Sequence, residues 1–244
     1  MSDDARRFFF VHVMKTGGAT FRRHIEHNFP EPGAVFPTPE LDGNLREANI
    51  FIQRLLELPP ERHARVRAYT GHFPFVVPGL LDPSLVTLTM LRDPVARTIS
   101  YLKHCKRYQP QHRDLALEQI YEDSFLFPTL IRDHQVKIFA MTASDRLESY
   151  MDVIDIDDER IRIARSNLER TDVVGLHERY DGFLAEVRRR FSWEIRERSS
   201  WRVSDENWDV DAAFRRRIAD DNHNDVEFYE FARELVGRRA ASRM

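Results

Sequence analysis

Apolar residues in this chain follow two rhythms. In short dense runs, aromatic and β-branched residues crowd together and predict buried strands. Arg7–Val13 (RFFFVHV), Val66–Thr70, Leu85–Leu91 (LVTLTML) and Val173–Leu176 are such runs. Elsewhere apolar residues recur at helical spacing, over Thr20–Phe29, Leu45–Leu58, Arg179–Phe191, Val210–Asp221 and Val226–Arg238. The Leu45–Leu58 helix stops before Pro59-Pro60. Pro94 suits a first helical position with Asp93 as cap, in a helix reaching Arg107. Asp155–Glu159 reads as the capped start of a helix ending near Glu169, and two or three helices fit between Arg113 and Met141. Pro30–Gly43, rich in Pro and Gly, reads as loop. Strands alternating with helices, without repeat or linker, predict one α/β domain whose parallel sheet is covered on both faces.

Composition narrows the class. Of 244 residues, 42% are hydrophobic, enough for a sizeable core and too many for a disordered chain. Lys and Arg number 37 against 40 Asp and Glu, a net charge of -3 that argues against a general nucleic-acid binder. The single cysteine, Cys105, allows no internal disulfide and suits a reducing compartment. The apolar run after the charged MSDDARR start is too short for a signal peptide or a membrane span. A soluble cytoplasmic protein is the expectation.

Nine glycines serve the whole chain, yet Gly17 and Gly18 stand together between Lys-Thr and a predicted helix. A strand, a Lys-Thr-Gly-Gly turn and a helix can hold an anion. Glycines let the backbone approach and turn N–H groups inward, and the helix start adds partial positive charge. Lys15 offers a full charge, and Thr16 or Thr20 a hydroxyl. The ordinary nucleotide loop places its lysine after the glycines. Here it precedes them, and no later aspartate is placed for magnesium, so a metal-dependent triphosphate enzyme is disfavoured. The plainer reading is a Gly-rich turn with an incidental lysine.

TMLRDPVARTISYLKH, Thr89 to His104, again ends a predicted strand and opens a helix. Arg92 falls at the carboxyl end, where open α/β sheets bind ligands. Ser100 lies two turns into the helix. An arginine fork and a hydroxyl there suit a second phosphate. Alternatively, Arg92 pairs with Asp93 and Ser100 is a small packing residue.

Together these stretches resemble the sulfotransferase family that uses 3′-phosphoadenosine 5′-phosphosulfate (PAPS). Its 5′-phosphosulfate loop, P-K-T-G-[GT]-[ST], is similar to M-K-T-G-G-A-T-F, Met14 to Phe21. Its 3′-phosphate site, an Arg and a Ser with seven residues between, is similar to Arg92…Ser100. The wording is closest to the glycan-type branch, with H-x-x-K-T-G-G-T-[ST], a later Gly-His and L-R-[DE]-P-[VL]-x-R. Asp172–Phe191 resembles the segment that closes over the adenine, and the C-terminal IADDNHNDVEFYEFARELV its closing helices. Met14 replaces a common proline and Ala19 a common hydroxyl residue.

The resemblance implies a P-loop NTPase-like α/β fold and transfer of a sulfuryl group from PAPS, leaving 3′-phosphoadenosine 5′-phosphate (PAP). It implies that Lys15, Thr16, Gly17, Gly18, Ala19, Thr20 and Phe21 hold the 5′ end, and that Arg92 and Ser100 hold the 3′-phosphate. Lys15 would also stabilise charge on the oxygen between phosphorus and sulfur, with no metal required. Gly71-His72 matches the branch's proposed general base, and an imidazole suits proton removal near neutrality. His104 and His12 are its rivals, His12 reading as a buried strand residue. The implied partner is a hydroxyl of a carbohydrate, glycolipid or small metabolite. A kinase or phosphotransferase, or a non-catalytic nucleotide-binding module, are the alternatives. His24 and His27 have a spacing that can bind zinc but lack a supporting ligand set.

Overall fold

The alternation along Phe8–Val11 organises the molecule. Successive strand residues point to opposite faces, and all four are buried, so the strand must be covered on both sides. In the computed structural model, which describes residues 6–195 and 210–242, that strand (β1) is the centre of a five-stranded, all-parallel sheet. The charged residues 1–5 lie outside the described region. The other strands are β2 (Val35–Phe36), β3 (Ala68–Tyr69), β4 (Val86–Leu91) and β5 (Val173–Leu176), in spatial order β2-β3-β1-β4-β5.

Phe8 and Phe10 pack on one face with Phe21 and Ile25 of the Gly18–Asn28 helix and with Phe183 and Val187 of the Tyr180–Phe191 helix. Phe9 and Val11 pack on the other face, in a core shared by the Pro94–Tyr108, His134–Ala140, Asp158–Arg170, Ala212–Asp221 and His223–Ala241 helices. The predicted α/β domain is therefore observed, with helices on both faces of the sheet. No described helix is long and apolar enough to cross a membrane.

Several elements differ from the expectation. The predicted Pro30–Gly43 loop contains β2 and a short Pro39–Asp42 helix. A two-residue strand carries no period of its own and forms because Val35 and Phe36 reach β3. The predicted Leu45–Leu58 helix breaks into Leu45–Ala48 and Ile52–Leu56. Between them Phe51 makes an antiparallel bridge to Ser149, and the Ile52 N–H donates to the Glu148 carbonyl at 3.0 Å. Pro60 does not only end a helix; it opens another, Pro60–Arg65. The first long helix starts at Gly18, two residues before the expected Thr20, so the second glycine belongs to its first turn.

Because every strand is parallel, all carboxyl ends share one edge. That edge carries the Lys15 loop after β1, Gly71-His72 after β3, Arg92 after β4 and His177-Glu178 after β5. The helix after β1 covers one face and the helix after β4 covers the other. The crevice between the ends of β1 and β4 is therefore a topological switch point, where open sheets of this kind bind ligands.

Candidate active site at the carboxyl edge of the sheet

The Lys-Thr-Gly-Gly turn departs from ordinary backbone. Lys15 has φ 66° and Gly17 φ 100°, both left-handed. Glycine adopts that conformation without strain, whereas a lysine there costs roughly 1–2 kcal/mol. Gly18 is required for a different reason. A Cβ at Gly18 would lie 2.1 Å from Cδ2 and 2.3 Å from Nε2 of His12, so the imidazole occupies the space that the missing side chain leaves. Two adjacent glycines thus answer two demands, one conformational and one steric.

The turn presents donors. The Gly17 carbonyl accepts from the N–H groups of Thr20 (3.1 Å) and Phe21 (3.2 Å), closing the first helical turn. The N–H groups of Gly18 and Ala19 precede any intrahelical partner, and none receives them among the described residues. Three residues of this loop have work inside the fold. The Thr16 hydroxyl is buried and donates to the Val13 carbonyl at 2.8 Å, so it braces the turn and does not face a ligand. The Thr20 N–H is used inside the helix, while its hydroxyl, on a half-buried residue, stays a candidate contact. Phe21 is a core residue, with ring centroids 4.9 Å from Phe10 and 4.8 Å from Phe183.

Arg92 reaches across the switch-point crevice. Its Nη1 donates to the Lys15 carbonyl at 3.2 Å, joining the β4 end to the β1 loop. Its main chain is clamped by the fully buried Gln135. The Arg92 N–H donates to Gln135 Oε1 at 3.0 Å, and Gln135 Nε2 donates to the Arg92 carbonyl at 2.8 Å. Burial lowers the Arg92 pKa, against the pull of Glu178, Asp93 and Tyr229, from a value so high that the guanidinium stays charged. Asp93 caps its helix through the Ala96 N–H at 2.8 Å, as the sequence predicts, and is not an ion-pair partner held by Arg92. Ser100 stands on the partly open side of that helix, on one line with Ala96 and His104. No hydrogen bond joins Ser100 to Arg92 among the described residues.

Glu178 and the last helix close the far side. The Asp93 N–H donates to Glu178 Oε1 at 3.2 Å, and the Tyr229 hydroxyl donates to Glu178 Oε2 at 2.5 Å. Burial would raise the Glu178 carboxyl. The Tyr229 hydroxyl, backbone donors and His177 outweigh it and hold the group below its ordinary value.

His72 lies on the opposite flank. Its N–H donates to the Asn49 carbonyl at 2.9 Å, and its Nδ1 is 2.9 Å from the His12 carbonyl. A carbonyl only accepts, so Nδ1 carries the proton and Nε2 of the neutral ring keeps its lone pair. Burial lowers the His72 pKa; the His12 carbonyl opposes this, and Lys15 and Arg22 add to it. The imidazole is therefore unprotonated at neutral pH. Arg22 spans the end of this flank, donating to Thr70 Oγ1 at 3.1 Å, the Pro37 carbonyl at 2.6 Å and Glu26 at 2.7 Å.

His12 is corrected too. β1 ends at Val11, so His12 is not inside the strand but at the carboxyl edge of the sheet. It is partly exposed, and its ring centroid is 4.4 Å from that of His72. His104 packs on Tyr108 at 4.8 Å, on the helix face that carries Ser100. His24 is buried and His27 meets Glu194 at 3.1 Å; no group of three metal-ligating side chains is assembled among the described residues. Gln135, Arg22 and the edge position of His12 escaped the sequence reading. Gln135 lies 43 residues from the arginine that it holds, and no local pattern marks it.

No family model matches the chain, and a search of curated proteins finds no relative.

Proposed function

We propose that the protein is a sulfotransferase, moving a sulfuryl group from PAPS to a hydroxyl of a carbohydrate, glycolipid or small metabolite. The observation that carries this reading is the Arg92–Lys15 connection across the switch point. It joins the two stretches whose wording resembles the PAPS sites. The Lys15 loop, the Arg92 end of β4, the free N–H groups of Gly18 and Ala19 and a helix start meet at one edge of the sheet, a donor set suited to a ligand with two anionic ends.

The chemistry follows from the flanks. The acceptor oxygen attacks sulfur from the side opposite the donor phosphate. The bond between sulfur and the bridging oxygen breaks, and the charge left on that oxygen meets Lys15. The acceptor proton passes to Nε2 of His72, which is neutral and carries its lone pair at working pH. Main-chain N–H groups of Gly18 and Ala19 hold the 5′ end, and Arg92, with Ser100 further along its helix, serves the 3′-phosphate.

Release of PAP from PAPS in the presence of a panel of hydroxyl acceptors tests the reading. His72→Ala should lower the rate about 10²–10⁴-fold while leaving PAP affinity unchanged. Lys15→Ala should lower turnover more than donor affinity. Rates untouched by both substitutions would remove the assignment.

A further inference from the structure

We propose that His12 is a positioning residue for His72: its carbonyl accepts the hydrogen bond of Nδ1–H, its ring packs on the His72 ring, and Gly18 provides the notch in which that ring sits. The inference deepens the reading of His72 as a base and rests on it.

Four contacts carry it. The Nδ1 to carbonyl distance is 2.9 Å, and the ring centroids lie 4.4 Å apart with the planes 37° from parallel. The far face of His12 is backed by Phe10, at 5.4 Å between centroids and 28° between planes. The edge of His12 fills the position where a Gly18 Cβ would stand. His12 is thus held on one face by Phe10 of β1 and at its edge by the first turn of the next helix. His72 in turn is held between His12 and Tyr150, whose ring centroid is 5.2 Å away.

The orienting group is a neutral carbonyl, where many catalytic histidines have a carboxylate. The groups that face the pair do not favour an imidazolium. Lys15 comes from the loop, Arg22 from the Gly18–Asn28 helix and His134 from its own helix, with the Tyr150 hydroxyl as the one acidic group named. Neither His12 nor His72 has a carboxylate among these neighbours. The pair, with one N–H on each neutral ring, therefore takes up at most one further proton at a time. Burial, and then a charge on His72, push His12 well below its usual value, so that proton belongs to His72. A base built this way passes the proton of the acceptor on readily, because burial, Lys15 and Arg22 outweigh the His12 carbonyl, the one neighbour named that stabilises the charged form.

Imidazole ¹⁵N and ¹³C NMR of the ligand-free protein, with signals assigned from His12 and His72 variants, tests this without any substrate. The expected spectrum shows His72 with its proton on Nδ1, and His72 charging before His12 as the pH falls. His12→Phe should keep the His72 tautomer, whereas His12→Ala should mix it and move the His72 pKa toward the ordinary 6.5. Gly18→Ala should lower the thermal midpoint by about 4 °C. In the His12→Ala background that loss should at least halve, the residue being the 2.8 Å approach to Phe10. A His72 proton on Nε2, His72 signals indifferent to His12→Ala, or an equal Gly18→Ala loss in both backgrounds would overturn the proposal. Failure of PAP to bind would sink the donor reading and leave these spectra as they are, so the two failures are separable.

Discussion

Replacing Gln135 by Met keeps volume and removes both bonds that hold the Arg92 main chain. Each bond contributes about 0.5–1.5 kcal/mol net, and a polar group left unpaired costs roughly 1–3 kcal/mol more. Arg92 is only partly buried, so water can reach its groups and relieve some of that penalty. The expected loss is about 2–4 kcal/mol in urea unfolding. The site should suffer as well, because the clamp sets the position from which Nη1 reaches the Lys15 carbonyl. If a misplaced guanidinium forfeits half of a charged hydrogen bond, PAP affinity falls about 10-fold. The control is Gln53→Met, on an exposed helix, where Gln53 only bonds Glu57; it should cost less than about 0.5 kcal/mol. Equal stability of wild type and Gln135→Met, with unchanged PAP affinity, would refute the reasoning that a distant helix holds the arginine.

Other outcomes follow from the same geometry. Arg92→Ala should weaken PAP binding far more than AMP binding in calorimetry, since only PAP carries the 3′-phosphate; equal losses would place Arg92 elsewhere. Lys15→Gly should be more stable than Lys15→Ala by about 1 kcal/mol in chemical denaturation, because glycine relieves the positive φ. Stability should fall as the pH drops from 7 to 5. His12, His72 and His134 have folded pKa values below 6.5, so the unfolded chain binds more protons in that window and stabilisation is lost on acidification. Asp225 works against them, being raised to about 7 by burial and by Asp133, but it is one group against five lowered histidines, His24 and His63 being the other two. Each net proton corresponds to about 1.4 kcal/mol per pH unit, and unfolding curves that are flat or improve toward pH 5 would contradict this balance.

What the sequence made legible were features with a local cause. Phe8–Val11, Val86–Leu91 and Val173–Leu176 are dense enough in apolar residues to be read as buried strands, and Asp93-Pro94 is a start signal for its helix. The glycine pair was legible as a close turn, but not its division of labour, because the collision at Gly18 involves a ring six residues earlier. Phe21 ends the motif and so stands with the loop residues, while helical periodicity turns its ring to the sheet. β2 was missed because its partner, not its sequence, makes it a strand. The Gln135 clamp and the Asn49 carbonyl that holds the His72 N–H come from segments brought to the edge by tertiary packing, and no spacing rule reaches that far.

The most direct measurement is a thermal-shift titration with PAP beside AMP, ADP and ATP, with and without magnesium. A ligand at about 100 times its dissociation constant adds roughly 2.7 kcal/mol, which is readily seen. The account predicts a shift that is largest for PAP and independent of magnesium. A shift only with ATP and magnesium would contradict it and would make the Lys-Thr-Gly-Gly turn the phosphate site of a phosphotransferase.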